Sequence, residues 1–258
     1  MEYRHIPFIT LSEIKPRVWI TLSGCNFKCK GCFSPAKGII GKKMGVEELV
    51  SLVKKASFDY YQKFPEEIII TGGEPTLNRN YLIDLVSKLN FSDDIIIETN
   101  GYFLNEEYVN ELIKAGLSEI MLDLKAYDEG LHKWYTGFSN HPILENVGKI
   151  HEKINLIIKT VYIPGIIDEA EIENIARFIS NLDPEIEYRI NDFKASKGIS
   201  RNPSHWEIEN AYSTVKKHHL KNVTISRSCR RERKTVKKKS WITVFPNGTQ
   251  KRRSLKNY

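Results

Sequence analysis

Six times between Arg17 and Asn191 a short run rich in β-branched residues is followed by a stretch with apolar residues at helical spacing. That alternation is the pattern of successive βα units around a parallel sheet, because parallel strands need a long crossover to reconnect. The spacing predicts strands over Arg17–Leu22, Glu67–Thr71, Asp94–Thr99, Glu119–Leu124, Leu156–Ile163 and Glu187–Asn191. Helices are predicted over Val46–Ala56, Arg79–Leu89, Glu106–Ala115, His141–Lys153 and Asp168–Asn181, with Val46, Leu49, Val50 and Val53 forming one such stripe. A further helix at about Ser204–His219 begins on a Ser cap and leads to a short strand at Asn222–Ser226. Six units fall short of the eight of a closed barrel. A partial barrel and an open doubly wound sheet both satisfy the pattern, and the expectation carried forward is an α/β fold, a partial (β/α)6 TIM-like barrel with a basic C-terminal extension.

The charge is unevenly placed. The chain carries a formal +7, yet Ser226–Tyr258 holds 12 Lys and Arg against the single acid Glu232, so the rest is mildly acidic. Division into a core domain, 1–225, and a basic extension, 226–258, follows from this change of character. Within the extension, Ser240–Phe245 is a short apolar segment closed by a Pro246-Asn-Gly248 turn, and Lys251–Tyr258 is expected to fray. No apolar run approaches the roughly 18 residues a membrane helix needs, and the N-terminus lacks the pattern of a signal peptide. The expectation is therefore a cytoplasmic protein with no membrane partner.

Three of the four cysteines lie within eight residues, as Cys25-Asn-Phe-Lys-Cys29-Lys-Gly-Cys32, directly after the first of these strands. Three thiolates on one loop can bind three irons of a 4Fe-4S cube and leave the fourth iron open for chemistry. A structural zinc site would want a matched second pair of ligands. Cys229 is the only other cysteine, and alone it cannot build a second cluster.

At these cysteines the chain resembles the radical S-adenosylmethionine enzymes, whose defining loop is CxxxCxxC, and the next motifs follow in order. Thr71-Gly-Gly-Glu-Pro75 is similar to that family's GGEP loop, which implies that Gly72, Gly73, Glu74 and Pro75 hold the amino group of the methionine moiety. Glu98-Thr-Asn100-Gly101 ends the third of the predicted strands, where ligands of parallel sheets bind. Asp123 and Lys125, two apart at the end of the next, look like the positions that bind the ribose and carboxylate of S-adenosylmethionine in activating enzymes. Ile163-Pro-Gly165 resembles the segment bordering the adenine, a wall that Tyr188, Arg189 and Asn191 would continue. The resemblance spans about residues 15–195 and is nearest the branch of pyruvate formate-lyase activating enzyme, through Leu122–Asn140 and Ile143-Leu-Glu-Asn146. It departs at Gly31, where the family commonly has an aromatic, and at Ser12-Glu-Ile-Lys-Pro16, where activators often have an Asp-Gly-Pro-Gly-type turn.

What the resemblance implies is reductive cleavage of S-adenosylmethionine at a 4Fe-4S cluster to a 5′-deoxyadenosyl radical that abstracts hydrogen. The donor would be a glycine of a glycyl-radical enzyme, and an external flavodoxin- or ferredoxin-type protein would supply the electron. The alternative is RNA held by residues 227–258, with basic side chains on phosphates and Trp241 or Phe245 stacked on a base. In that reading Cys229 is a candidate second reactive thiol.

Overall fold

The structure, a computed structural model, describes residues 2–195, 201–225 and 240–254. Strands β1 (Arg4–Ile6), β2 (Phe8–Ser12) and β3 (Arg17–Leu22) precede the cysteine loop, and β4 (Lys42–Met44) follows it. Helices and strands then alternate through α1 (Val46–Tyr61), β5 (Glu67–Gly72), α2 (Arg79–Lys88), β6 (Asp94–Thr99), α3 (Glu106–Ala115) and β7 (Glu119–Asp123). Two helices, α4 (Glu129–Thr136) and α5 (His141–Ile150), lead to β8 (Asn155–Tyr162), α6 (Glu169–Leu182) and β9 (Glu187–Asp192). The remainder is α7 (His205–Lys216), β10 (Val223–Ile225), β11 (Ser240–Val244) and β12 (Gln250–Ser254).

Ten strands form one sheet in the order β10-β9-β8-β7-β6-β5-β3-β2-β11-β12, while β1 and β4 pair separately. From β3 to β10 the pairing is parallel throughout. Each of these strands lies beside its predecessor in the chain, so the order never reverses as a doubly wound sheet must at its switch point. Right-handed crossovers without a reversal put every helix on one face and leave the other as a lumen. The partial TIM-like barrel is therefore the architecture, and no pairing joins β10 to β12 among the described residues.

The period of two sorts the strands accordingly. Ile20, Ile68, Ile70, Ile97, Ile120, Leu122 and Ile158 point outward and are fully buried under the helices. Glu67, Glu98, Lys159 and Arg189 point inward, into a charged lumen of about 650 Å³. There Glu67 takes ion pairs from Arg17 and Lys15. Although burial works against its charge, these two bases hold its carboxyl below the usual range.

Several expectations need correction. The N-terminal segment supplies three strands, β1, β2 and β4, that periodicity does not reveal, and α4 also goes unseen; it is eight residues long, rich in aromatics and interrupted by Gly130. Lys251–Ser254 does not fray. It forms most of β12, which pairs with β11, and β11 continues the main sheet by antiparallel pairing with β2, Trp241 opposite Ser12 and Val244 opposite Ile9. Residues 255–258 and Cys229 lie outside the described residues.

Candidate active site

The cysteine loop hangs from the C-terminal end of β3 and is fixed from two sides. Its base is tied by Gly24 N–H donating to Ala36 O at 2.7 Å. Its far side rests on the end of α4, where Lys28 N–H donates to Thr136 O (2.8 Å) and Lys30 N–H to Tyr135 O (3.1 Å). Between the first two cysteines, Phe27 is buried in an aromatic nest, stacked on Phe138 at 5.4 Å and edge-on to Tyr102 and His132. The nest belongs to the Leu122–Asn140 stretch and its neighbourhood. Asp128 caps α4 through Leu131 N–H (2.6 Å), and Asn140 Nδ2 donates to Tyr127 O at 2.6 Å. The stretch that carries the activating-enzyme resemblance thus builds the platform under the thiols.

The Gly72-Gly73-Glu74-Pro75 loop leaves β5 against this base. A side chain at Gly73 would meet Gly24 O at 2.1 Å, and one at Gly72, whose φ is +129°, would meet Leu22 O at 2.1 Å. The two glycines therefore let one backbone lie on another, which brings the loop beside the thiols. Glu74 is fully buried, and its carboxylate already accepts four hydrogen bonds. Oε1 accepts from Thr76 N, Thr76 Oγ1 and Thr99 Oγ1, and Oε2 from Asn100 N at 2.8 Å. Burial raises its pKa despite these donors. Arg4, also buried, donates to Ser23 O, Glu74 O and Pro75 O at 3.0–3.1 Å, clamping the two loops together.

One cavity of about 500 Å³ opens at the C-terminal edge of the strands, lined by Cys25, Cys29 and Cys32, by Gly72, Gly73 and Glu74, and by Glu98, Asn100, Asp123 and Lys125. Lys125 stands 3.1 Å from Asp123. Burial opposes its charge, yet Asp123 and Cys29 outweigh that and raise its pKa. Burial first, and then the neighbouring Glu74, Cys29 and Cys32, push the Cys25 thiol up to about 11, so iron must displace its proton. Glu98 accepts from Thr71 Oγ1 at 2.8 Å and is ion-paired with Lys159, a residue that sequence reading missed. Its signal was there: it is the only charged residue of β8. Burial and Arg189 pull the Lys159 ammonium down to about 8, which still leaves it charged at neutral pH.

Four expected contacts fall elsewhere. Pro75 and Gly165 do not line this cavity; Pro75 is turned into the Arg4 clamp. Arg189 faces the lower lumen and pairs with Glu187 at 2.8 Å, and Tyr188, with the opposite parity, is wholly buried under the helices. Asn191 does reach the cavity, beside Phe193 and Ile167.

The residues present fit an iron–sulfur cluster. Three free thiols of one loop face one cavity, and the buried amide Nδ2 of Asn26, between the first two, has no acceptor in the protein. A cluster held by the flanking thiolates would bring sulfur acceptors into this neighbourhood. Among the described residues no three His, Cys, Asp or Glu side chains gather around a point that would suit a single metal ion.

Comparison with known proteins decides the matter, since residues 19–179 match the model of the Radical SAM superfamily. The chain belongs to the Radical SAM superfamily. The family binds a 4Fe-4S cluster and S-adenosylmethionine, and its members of this kind are enzymes. A protein of Methanocaldococcus jannaschii that bears the name of a glycyl-radical enzyme activating enzyme is 36% identical over 242 residues, covering 90% of this chain and 88% of that one. Among solved structures, Streptococcus suis SuiB bound to precursor peptide SuiA superposes with a TM-score of 0.67 at 17% identity, covering 82% of this chain and 49% of that one. A domain of pyruvate-formate lyase-activating enzyme from Bacteroides vulgatus gives 0.53 at 23%, covering 61% and 97%. These two show the radical SAM fold.

Proposed function

We propose that this radical SAM enzyme is an activase that takes a hydrogen atom from a glycine of a partner protein, with an external flavodoxin- or ferredoxin-type donor supplying the electron. The reading is carried by the Methanocaldococcus jannaschii relative, whose similarity runs along nine-tenths of the chain rather than through the cysteine loop alone. When bound, the reduced cluster supplies the electron that splits S-adenosylmethionine into methionine and a 5′-deoxyadenosyl radical. Cys25, Cys29 and Cys32 would hold the cluster, with the unpartnered amide Nδ2 of Asn26 between the first two. Asp123 and Lys125 orient the ribose and carboxylate. Because the Glu74 carboxylate is spent on Thr76, Thr99 and Asn100, the backbone of Gly72–Glu74 is left to take the ammonium. The Phe27 nest keeps water from beneath the loop.

The test is anaerobic reconstitution with iron and sulfide, followed by dithionite, S-adenosylmethionine and a candidate glycyl-radical enzyme labelled with α-deuterated glycine. Formation of deuterated 5′-deoxyadenosine together with a protein-centred signal in the electron paramagnetic resonance spectrum, a doublet with the unlabelled partner that collapses to a singlet with the deuterated one, is the expected result, with none from Cys29→Ala. Unlabelled 5′-deoxyadenosine formed only when RNA is added would replace the partner protein by RNA.

A further inference from the structure

One cation in the pocket has no counterpart among the groups assigned so far. Lys159 sits in the middle of an otherwise uncharged strand with its side chain 9% exposed. Its ammonium reaches over β7 to the Glu98 carboxylate on β6 and stands 3.7 Å from Asp123 Oδ1, the residue registered opposite it on β7. Glu98 and Lys159 line both the upper cavity and the charged lumen below, so this pair forms the floor between them. Two acids and two bases meet here. Lys125 serves Asp123 from the other side at 3.1 Å, and Thr71 Oγ1 gives Glu98 its one further contact at 2.8 Å. Without Lys159, two inward carboxylates on neighbouring strands would share Lys125, since Arg189 is paired with Glu187, and like charges at close range in a poorly solvated site push apart.

We propose that Lys159 is a positioning residue whose ammonium is a built-in counter-cation, setting the spacing of Glu98 and Asp123 so that the pocket needs no cation from the medium. The proposal rests on the reading of this cavity as the S-adenosylmethionine site. Its chemistry is specific: removal of the side chain leaves a hole lined by carboxylate and hydroxyl oxygens, the donor set that hard cations prefer. An alkali ion should therefore do in the variant what the lysine does in the native chain.

The experiment replaces sodium or potassium chloride by choline chloride at constant ionic strength. It measures S-adenosylmethionine affinity of the reconstituted holoenzyme and the unfolding temperature of the protein before loading. The native chain should be indifferent to the exchange in both readouts. Lys159→Met should bind S-adenosylmethionine about tenfold more weakly in choline, a loss of ~1.4 kcal/mol, and recover most of it in sodium or potassium. Its unfolding temperature before loading should follow the same order. Lys159→Arg should behave as the native chain. An alkali requirement in the native chain would overturn the proposal, as would a folded Lys159→Met variant that either matches the native affinity in choline or stays equally weak in every salt. Should that variant not fold, Glu98→Gln/Lys159→Met, which removes one charge of each sign, should fold and show no alkali response; a response there would also overturn it. Failure of the native holoenzyme to bind S-adenosylmethionine in any salt would sink the reading of the pocket, while the unloaded protein would still report on Lys159.

Discussion

Glu74 shows how a motif residue can serve its site from behind. Four donors converge on its carboxylate, from the loop that follows and from the end of β6, so it locks the glycine loop to Asn100. Glu74→Gln would turn an amide N–H₂ toward donors that need an acceptor. Leaving a buried polar group without a partner costs about 1–3 kcal/mol, and for a chain of this size each kcal/mol lowers Tm by roughly 2–4 °C. The expected outcome is therefore a drop of several degrees in the unloaded protein, measured by calorimetry, with Thr76→Ala giving a smaller one. The motif itself was legible in the sequence, as were the three thiols. The direction of the Glu74 side chain was not, because Thr99 and Asn100 reach its carboxylate from the end of another strand, about 25 residues away in the chain.

Helix ends do the next level of work. The last carbonyls of α4 accept from the amides of Lys28 and Lys30, so the shape of the cysteine loop depends on a helix of eight residues that is too short to be stable alone. Its N-cap is Asp128, and loss of such a cap costs about 1 kcal/mol. Asp128→Ala should accordingly raise amide exchange in both α4 and residues 25–32 while β5 and β6 stay protected; an unchanged cysteine loop would refute the coupling. At α7 the capping box joins Ser204 and Glu207, and Arg201 adds a bidentate ion pair. Arg201 first, and the Ser204 amide second, hold the Glu207 carboxyl down to about 2. A depressed carboxylate stabilises the folded state fully above its unfolded value and loses that contribution as pH falls toward 2. The protection factors of α7 amides, corrected for the intrinsic pH dependence of exchange, should therefore begin to fall below about pH 4.5, and Glu207→Gln should abolish that dependence.

Across the whole molecule, seven parallel strands in chain order were nearly all readable from periodicity, because a buried sheet writes long apolar runs. The antiparallel flank was not. β2 and β11 are brought together from opposite ends of the chain, Ile242 beside Leu11, and neither segment announces its partner. The basic extension accordingly contributes two strands to the sheet, with Arg252 ion-paired to Glu13 and Val244 buried. Our division at residue 225 thus remains a boundary of charge and stands as a proposal about folding units. It is testable: a chain ended at Ile225 should leave the β2 edge open and either aggregate or lose amide protection in Phe8–Ser12, whereas an independent core would show neither.

The platform under the thiols also constrains how the protein is made. Synthesis runs from the N-terminus, so Cys25, Cys29 and Cys32 leave the ribosome well before Tyr135, Thr136 and Phe138, the residues that give their loop its form. The loop cannot set as it emerges, and its thiols stay accessible to oxidants and stray metal until α4 has been made and docked. Assembly of the cluster thus belongs after translation of the barrel's middle, and the interval before it is when the nascent enzyme most needs a reducing, metal-poor surrounding.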